Sequence, residues 1–398
     1  MTTRTAVSAL ALAALLVGAG CAAPVADETP APRVEYEGGS LPFAAGPVFA
    51  QIETTLGVDV PAPDRVHVVS SPRNLSGSVA GASIPRFWSV AGVHTDSGLS
   101  QADVDRLENG VTSSIGTIAV YPGEDADAGD RWVLAHEFVH YVQFQRNAGE
   151  RVGAAVPATT DGRYVQRSVL EGAAVFTTDA YIAAHAPDQP PNAALYRDLN
   201  ETLVPGSLAW HYNLAYVEGR EYVASRVAGP TALGAVYDRP PTTSEQVIHG
   251  LPPGAEPAPP LNLTADGGDW RVAATDRLGE AFVRTALAGT LDVGRASRAA
   301  AGWGNDTLLT FRRAGVANGS YAWVLRWDAP SEADEFASAM RDALAARGDA
   351  AGDGWRVAGV RAELRRADAQ TTVLVAGNAS FVNGTAVATD GGVTVTAP

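Results

Sequence analysis

The chain has 398 residues, length for two or three folded units, and 46% of them are apolar, material for a sizeable core. Acidic residues outnumber basic ones 44 to 29, and the formal charge of −15 repels phosphates, which argues against nucleic acid as a partner. Every basic residue is Arg and none is Lys; an acidic, Lys-free surface suits a salty medium, and a GC-rich codon bias accounts for it equally well.

Residues 1–21 have the parts of a secretory signal peptide: Arg4, an apolar stretch from Ala6 to Gly20, then small residues. The apolar run, about 15 residues, is short for a membrane span. The single cysteine, Cys21, ends it in a lipobox-like setting, which predicts lipidation and a membrane anchor; cleavage after Ala23 is the rival reading. Both predict export. One cysteine also excludes an intrachain disulfide and a thiolate metal cluster. Glycosylation sequons occur at Asn74, Asn200, Asn262, Asn305, Asn318, Asn378 and Asn383, where chance gives roughly two. That enrichment fits an exported glycoprotein at the cell surface.

Residues 22–43 read as a flexible linker. A first globular unit is predicted over 44–250. It holds strands at 64–70 and 117–121, then an acidic stretch at 123–130 that suits the positive end of a helix over 131–146. Further helices are predicted over 166–184, 191–201 and 212–227. Residues 251–270, rich in Pro and Gly, read as a linker between domains. The C-terminal unit, 271–378, alternates a helix near 275–289, strands at 307–312 and 321–327, a helix at 331–347 and strands near 355–366 and 370–376. The residues from 379 to 398 read as a frayed tail. The fold class expected is α+β: a mainly helical unit with a small sheet, followed by a smaller α+β domain.

The chemistry is concentrated in His136-Glu137-Phe138-Val139-His140. Residues four apart share one helix face about 6 Å apart along the axis, so both imidazoles reach one ion. Zn²⁺ takes His nitrogens tetrahedrally, and one such ion per chain is expected here. Glu137, rotated about 100° from His136, is placed to act as a general base without becoming a ligand. No third His follows nearby. Glu171, the lone carboxylate of an apolar helical stretch 31 residues after His140, is the expected third ligand, with Gly172 and Ala173 letting the helix pack back closely. His211, Tyr216, Tyr222 and His249 are candidate oxyanion donors. His67, His94 and His185 lack ligand-like context. Trp303, Trp323 and Trp327 read as core or as a carbohydrate-type surface.

His-Glu-x-x-His with a distal Glu resembles the gluzincin metallopeptidases. The segments 136–145, 170–174, 216–222, 240–249, 276–280, 301–306 and 326–328 also resemble a family of exported zinc-dependent proteins that includes haloarchaeal surface proteins. The resemblance covers roughly residues 115–340 and implies hydrolysis of a peptide or protein substrate by a gluzincin-like domain at 44–250. Where that family often has Asp, this chain has Phe144 and Ala173. Two other readings stand beside a peptidase: a non-catalytic surface protein cross-linked by zinc, and a binding module carried by the C-terminal domain.

Overall fold

The computed structural model describes residues 31–71, 84–100, 109–113, 115–122, 129–390 and 392–398. The expected signal peptide with Cys21, the sequon at Asn74 and most of the acidic stretch before the first motif helix lie outside the described residues. Among the described residues no helix is long and apolar enough to cross a membrane.

The N-terminal half combines a four-stranded sheet with helices. Its elements are β1 (Glu35–Glu37), α1 (Ala45–Leu56), β2 (Arg65–Val68), α2 (Arg86–Ala91), β3 (Gly110–Thr112), β4 (Ile118–Val120), α3 (Asp130–Gln145), α4 (Ala148–Ala155), α5 (Thr160–His185), α6 (Asn192–Thr202), α7 (Leu208–Arg226), α8 (Gly234–Asp238) and α9 (Ser244–Ile248). The sheet order is β1-β2-β4-β3, with only the β3 pairing antiparallel. The expected linker over 22–43 is therefore too long: β1 pairs with β2, and Leu41 is buried.

Helix α5 begins six residues before its predicted start, because Thr159 caps it by accepting from the Gly162 N–H. It packs antiparallel on α3. Trp132 meets Tyr181 at one end of the crossing and Gln143 bonds the Leu170 carbonyl at the other. Phe49, Phe138, Val139, Val169 and Tyr181 fill the core between α1, α3 and α5. Complete burial of one such side chain contributes about 1.5–3 kcal/mol.

The C-terminal half contains β5 (Leu263–Asp266), β6 (Arg271–Asp276), α10 (Gly279–Ala288), α11 (Val293–Ala300), β7 (Trp303–Arg312), β8 (Ser320–Trp327), α12 (Pro330–Arg347), β9 (Asp349–Ala351), β10 (Gly354–Val357), β11 (Val360–Asp368), β12 (Thr371–Gly377), α13 (Ala379–Gly384), β13 (Ala386–Thr389) and β14 (Val393–Thr396). Seven strands form an antiparallel sheet in the order β6-β7-β8-β12-β11-β10-β9. Its central strands β8 and β12 are buried on both faces, which is why they read as nearly continuous apolar runs. Trp323, Leu325 and Leu374 face α10 and α12, whereas Val324, Val373 and Val375 face a second core with Trp270, Phe381 and Val395. Trp303, Trp323 and Trp327 are buried, so they belong to the core rather than to a carbohydrate-binding surface.

The predicted tail is not frayed. It contributes α13 and the strands β13 and β14, and β14 pairs in parallel with β5 from inside the expected linker. Nor does the Pro/Gly-rich segment separate two cores: Phe87, Tyr164, Trp210 and Leu214 share one cluster with Phe282, Trp323 and Phe336. Arg347 on α12 reinforces that contact, donating to the carbonyls of Ser89, Val90 and Ala91 at the end of α2.

Candidate metal centre

His136 and His140 project from one face of α3, and α5 brings Glu171 against them. The Nε2 atoms of the two imidazoles lie 3.1 Å apart, and Glu171 Oε2 is 3.0 Å from His140 Nε2 and 3.6 Å from His136 Nε2. Three ligand atoms thus converge on one point, and the group can hold a metal ion. The expected close approach is present but involves another partner. A Cβ on Gly172 would come within 2.2 Å of the Gly219 backbone, so Gly172 admits α7, while α3 rests on other side chains of α5.

The electrostatics suit a cation. Burial disfavours protonation of His140, yet the Glu171 carboxylate beside it raises its pKa to about 9. Burial would raise Glu171, but the His140 and His136 imidazoles hold it well below the usual carboxylate range. These are the conditions under which a divalent ion can replace a proton shared among such groups.

The two imidazoles are held differently. Gln143 Oε1 lies 2.8 Å from His140 Nδ1, while its Nε2 donates to the Leu170 carbonyl and the Tyr237 hydroxyl. That network fixes the Gln oxygen as acceptor, so Nδ1 carries the proton and Nε2 presents its lone pair to the shared point. His136 Nδ1 is buried without a hydrogen-bond partner. Its ring is instead packed against Tyr216, stacked at 6.5 Å, and Tyr216 stacks on Tyr196 at 4.5 Å. Burial, with Glu171 and Glu137 nearby, keeps both phenols protonated far above the usual range.

Glu137 is buried, and its Oε2 accepts from the Thr112 hydroxyl at 2.7 Å. Its other oxygen receives no hydrogen bond among the described residues. A Cβ at Gly110 would crowd that oxygen at 2.8 Å, so glycine leaves the space beside it open. Both Gly110 and Thr112 lie on β3, the edge strand of its sheet among the described residues.

Of the four candidate oxyanion donors, the structure brings only Tyr216 against the trio. His211 bonds Thr285 and packs on Trp88 and Tyr164, and burial lowers its pKa to about 3. Tyr222 lies in the helical core with its hydroxyl unpartnered, and His249 pairs with Glu280 at 3.0 Å. His67 lies beside Glu37, His94 bonds the Pro205 carbonyl and His185 packs on Tyr181. Among the sequons, Asn262, Asn318, Asn378 and Asn383 are exposed; Asn200 and Asn305 are half-buried, and Asn305 donates to the Pro259 carbonyl. Gln143, Thr112 and Tyr196 were missed by the sequence reading. Only Gln143, three residues after His140 on the same helix face, left a signal that could have been read.

A family model described as a domain of unknown function, DUF8575, matches residues 270–386, the sheet-rich C-terminal half rather than the metal centre. No curated protein and no solved structure matches the chain.

Proposed function

We propose that the chain is an exported zinc-dependent metallopeptidase of gluzincin type, anchored at the cell surface through a lipid on Cys21 and acting on a peptide or protein. The observation that carries this reading is the convergence of His136, His140 and Glu171, with Glu137 at the next position of the same helix. A tetrahedral ion with bonds of about 2.0–2.1 Å separates its ligand atoms by about 3.3 Å. The edges of 3.0, 3.1 and 3.6 Å straddle that value, and a His₂Glu donor set favours zinc over the harder divalent ions.

Bound zinc supplies Lewis acidity, which acidifies water and polarises a carbonyl. Glu137 takes a proton on the oxygen that Thr112 leaves free and returns it to the leaving amine. Gln143 holds His140 in the tautomer a ligand needs. Tyr216 and Tyr196 exclude water above His136, and the outer edge of β3 offers backbone groups to an extended peptide.

The strong burial of Glu137 and His136 favours a second reading, in which zinc only cross-links α3 and α5. One experiment separates them. The purified chain is assayed for zinc and for cleavage of a mixed peptide pool, beside Glu137→Gln and His140→Ala. About one zinc per chain in the wild type and Glu137→Gln, none in His140→Ala, and cleavage only in the wild type is the expected result. Zinc without cleavage leaves the cross-link; a wild-type chain that takes no zinc ends both readings.

A further inference from the structure

Helices α5 and α7 run parallel: Tyr164 meets His211, Arg167 meets Tyr212, Gly172 meets Gly219 and Asp179 meets Arg220. Side chains on their facing surfaces therefore stack in layers one turn apart. The layer of Glu171 and Tyr216 belongs to the metal centre. The layer one turn earlier, about 6 Å along the axis, is Arg167 with Tyr212.

Arg167 differs from the other arginines along these helices. Arg163 and Arg220 pair with Asp276 and Asp179, Arg226 donates to the Gly250 carbonyl, and Arg284 of the neighbouring α10 pairs with Glu218. The guanidinium of Arg167 makes no ion pair and donates no hydrogen bond among the described residues, although it is half-buried in a chain with an excess of acids. Among the described residues the group stacked on it is the Tyr212 ring, 4.6 Å from the guanidinium carbon. Stacking of that kind occupies a face of the group and leaves the N–H groups along its edge unused. Its charge also reaches the metal layer. Burial raises Tyr216, and Arg167 pulls against that shift.

A half-buried, pre-stacked guanidinium with five unspent donors calls for a planar anion, and a carboxylate matches its fork. Successive residues of an extended peptide are about 3.5 Å apart, so a group one or two residues from a bond held at the trio comes within reach of the Arg167 side chain. We propose that Arg167 recognises a carboxylate on the substrate, so that the metal centre selects peptides with an anionic group close to the bond it cleaves. That carboxylate is a free C-terminus or an acidic side chain. The inference rests on the metal centre proposed above.

The test uses thiol probes on the zinc-loaded full chain at one ionic strength, with affinities read by calorimetry. Mercaptoacetyl-Leu-Gly is compared as free acid and as amide, and mercaptoacetyl-Asp-Gly-amide is compared with its Asn counterpart. The wild type is expected to prefer the charged member of at least one pair by about tenfold to a hundredfold. The acid–amide pair reports a C-terminal carboxylate and the Asp–Asn pair a side chain. Arg167→Ala loses the preference and Arg167→Lys keeps part of it, while both retain zinc. Equal affinities within both pairs in the zinc-loaded wild type overturn the role of Arg167 and leave the metal centre standing, as does a preference that survives in Arg167→Ala. A chain that takes up no zinc overturns both inferences.

Discussion

Two of the places where the molecule buries charge are treated in opposite ways. At the seam between the halves, Asp306 accepts from the Leu278 and Gly279 N–H groups and from the indoles of Trp303 and Trp323. Asp161 beside it takes the Ser244 N–H and pairs with Arg277. Gly279, with φ +83°, is required there, since a Cβ would lie 2.0 Å from the Asp161 carboxylate. At the candidate metal centre, His136, His140 and Glu171 have chiefly one another. Three groups that each present a lone pair to one point cannot all be satisfied by a single shared proton. A carboxylate supplied with donors by its own protein serves the fold, whereas a cluster that points its lone pairs inward waits for something from outside.

The largest effect expected from breaking this contrast is at Asp306. Its replacement by Ala strands four buried donors, so stability should fall by about 3–5 kcal/mol in chemical denaturation. Zinc per folded chain should not change. His140→Ala should do the reverse, losing zinc at a smaller cost to the metal-free fold. Equal losses of stability in the two variants would remove the distinction between seam and metal centre.

Parts of both regions were legible in the sequence. The motif helix and its antiparallel partner needed only a 3.6-residue period and one carboxylate in an apolar stretch, so His136, Glu137, His140 and Glu171 were readable together. Gly172 announced a close approach but could not say to which helix, because a missing side chain has no direction. Tyr196 was hidden in a polar helix, and its role depends on α7 bringing Tyr216 beneath it. The strand pairing of β14 with β5 joins residues more than a hundred positions apart, and no local pattern encodes such a contact. The shared core was equally hidden: YAWVLRW reads the same whether its Trp face meets a neighbouring domain or its own.

A smaller effect tests how the metal centre itself is built. His140 is oriented by the Gln143 network and His136 by packing alone, so the two ligands should tolerate change differently. Gln143→Leu removes the acceptor on His140 Nδ1 and frees the tautomer. Zinc affinity, read by competition with a chelator, should fall by about tenfold to a hundredfold. Tyr216→Phe keeps the ring over His136 and should leave that affinity within about threefold. A Leu variant that binds zinc as tightly as the wild type would mean that packing suffices for both ligands.

The smallest effect concerns a seam carboxylate that has no side-chain donor among the described residues. Glu245 is buried and receives no side-chain hydrogen bond among the described residues. Burial, with Glu280, Asp328, Glu256 and Asp161 around it, raises its pKa to about 9. A carboxyl whose folded pKa is raised binds its proton more tightly in the folded chain. Its contribution to stability is therefore complete below about pH 4.5 and is lost as pH rises from there through about 9. Glu245→Gln keeps a neutral side chain of the same shape at every pH. The variant should match the wild type near pH 5 and be the more stable of the two near pH 9, where the wild type begins to ionise a buried group. Comparing the pair reports Glu245 together with its coupling to Glu280. Parallel stability curves from pH 5 to 9 would place an unseen donor on Glu245, and the seam would then be satisfied throughout.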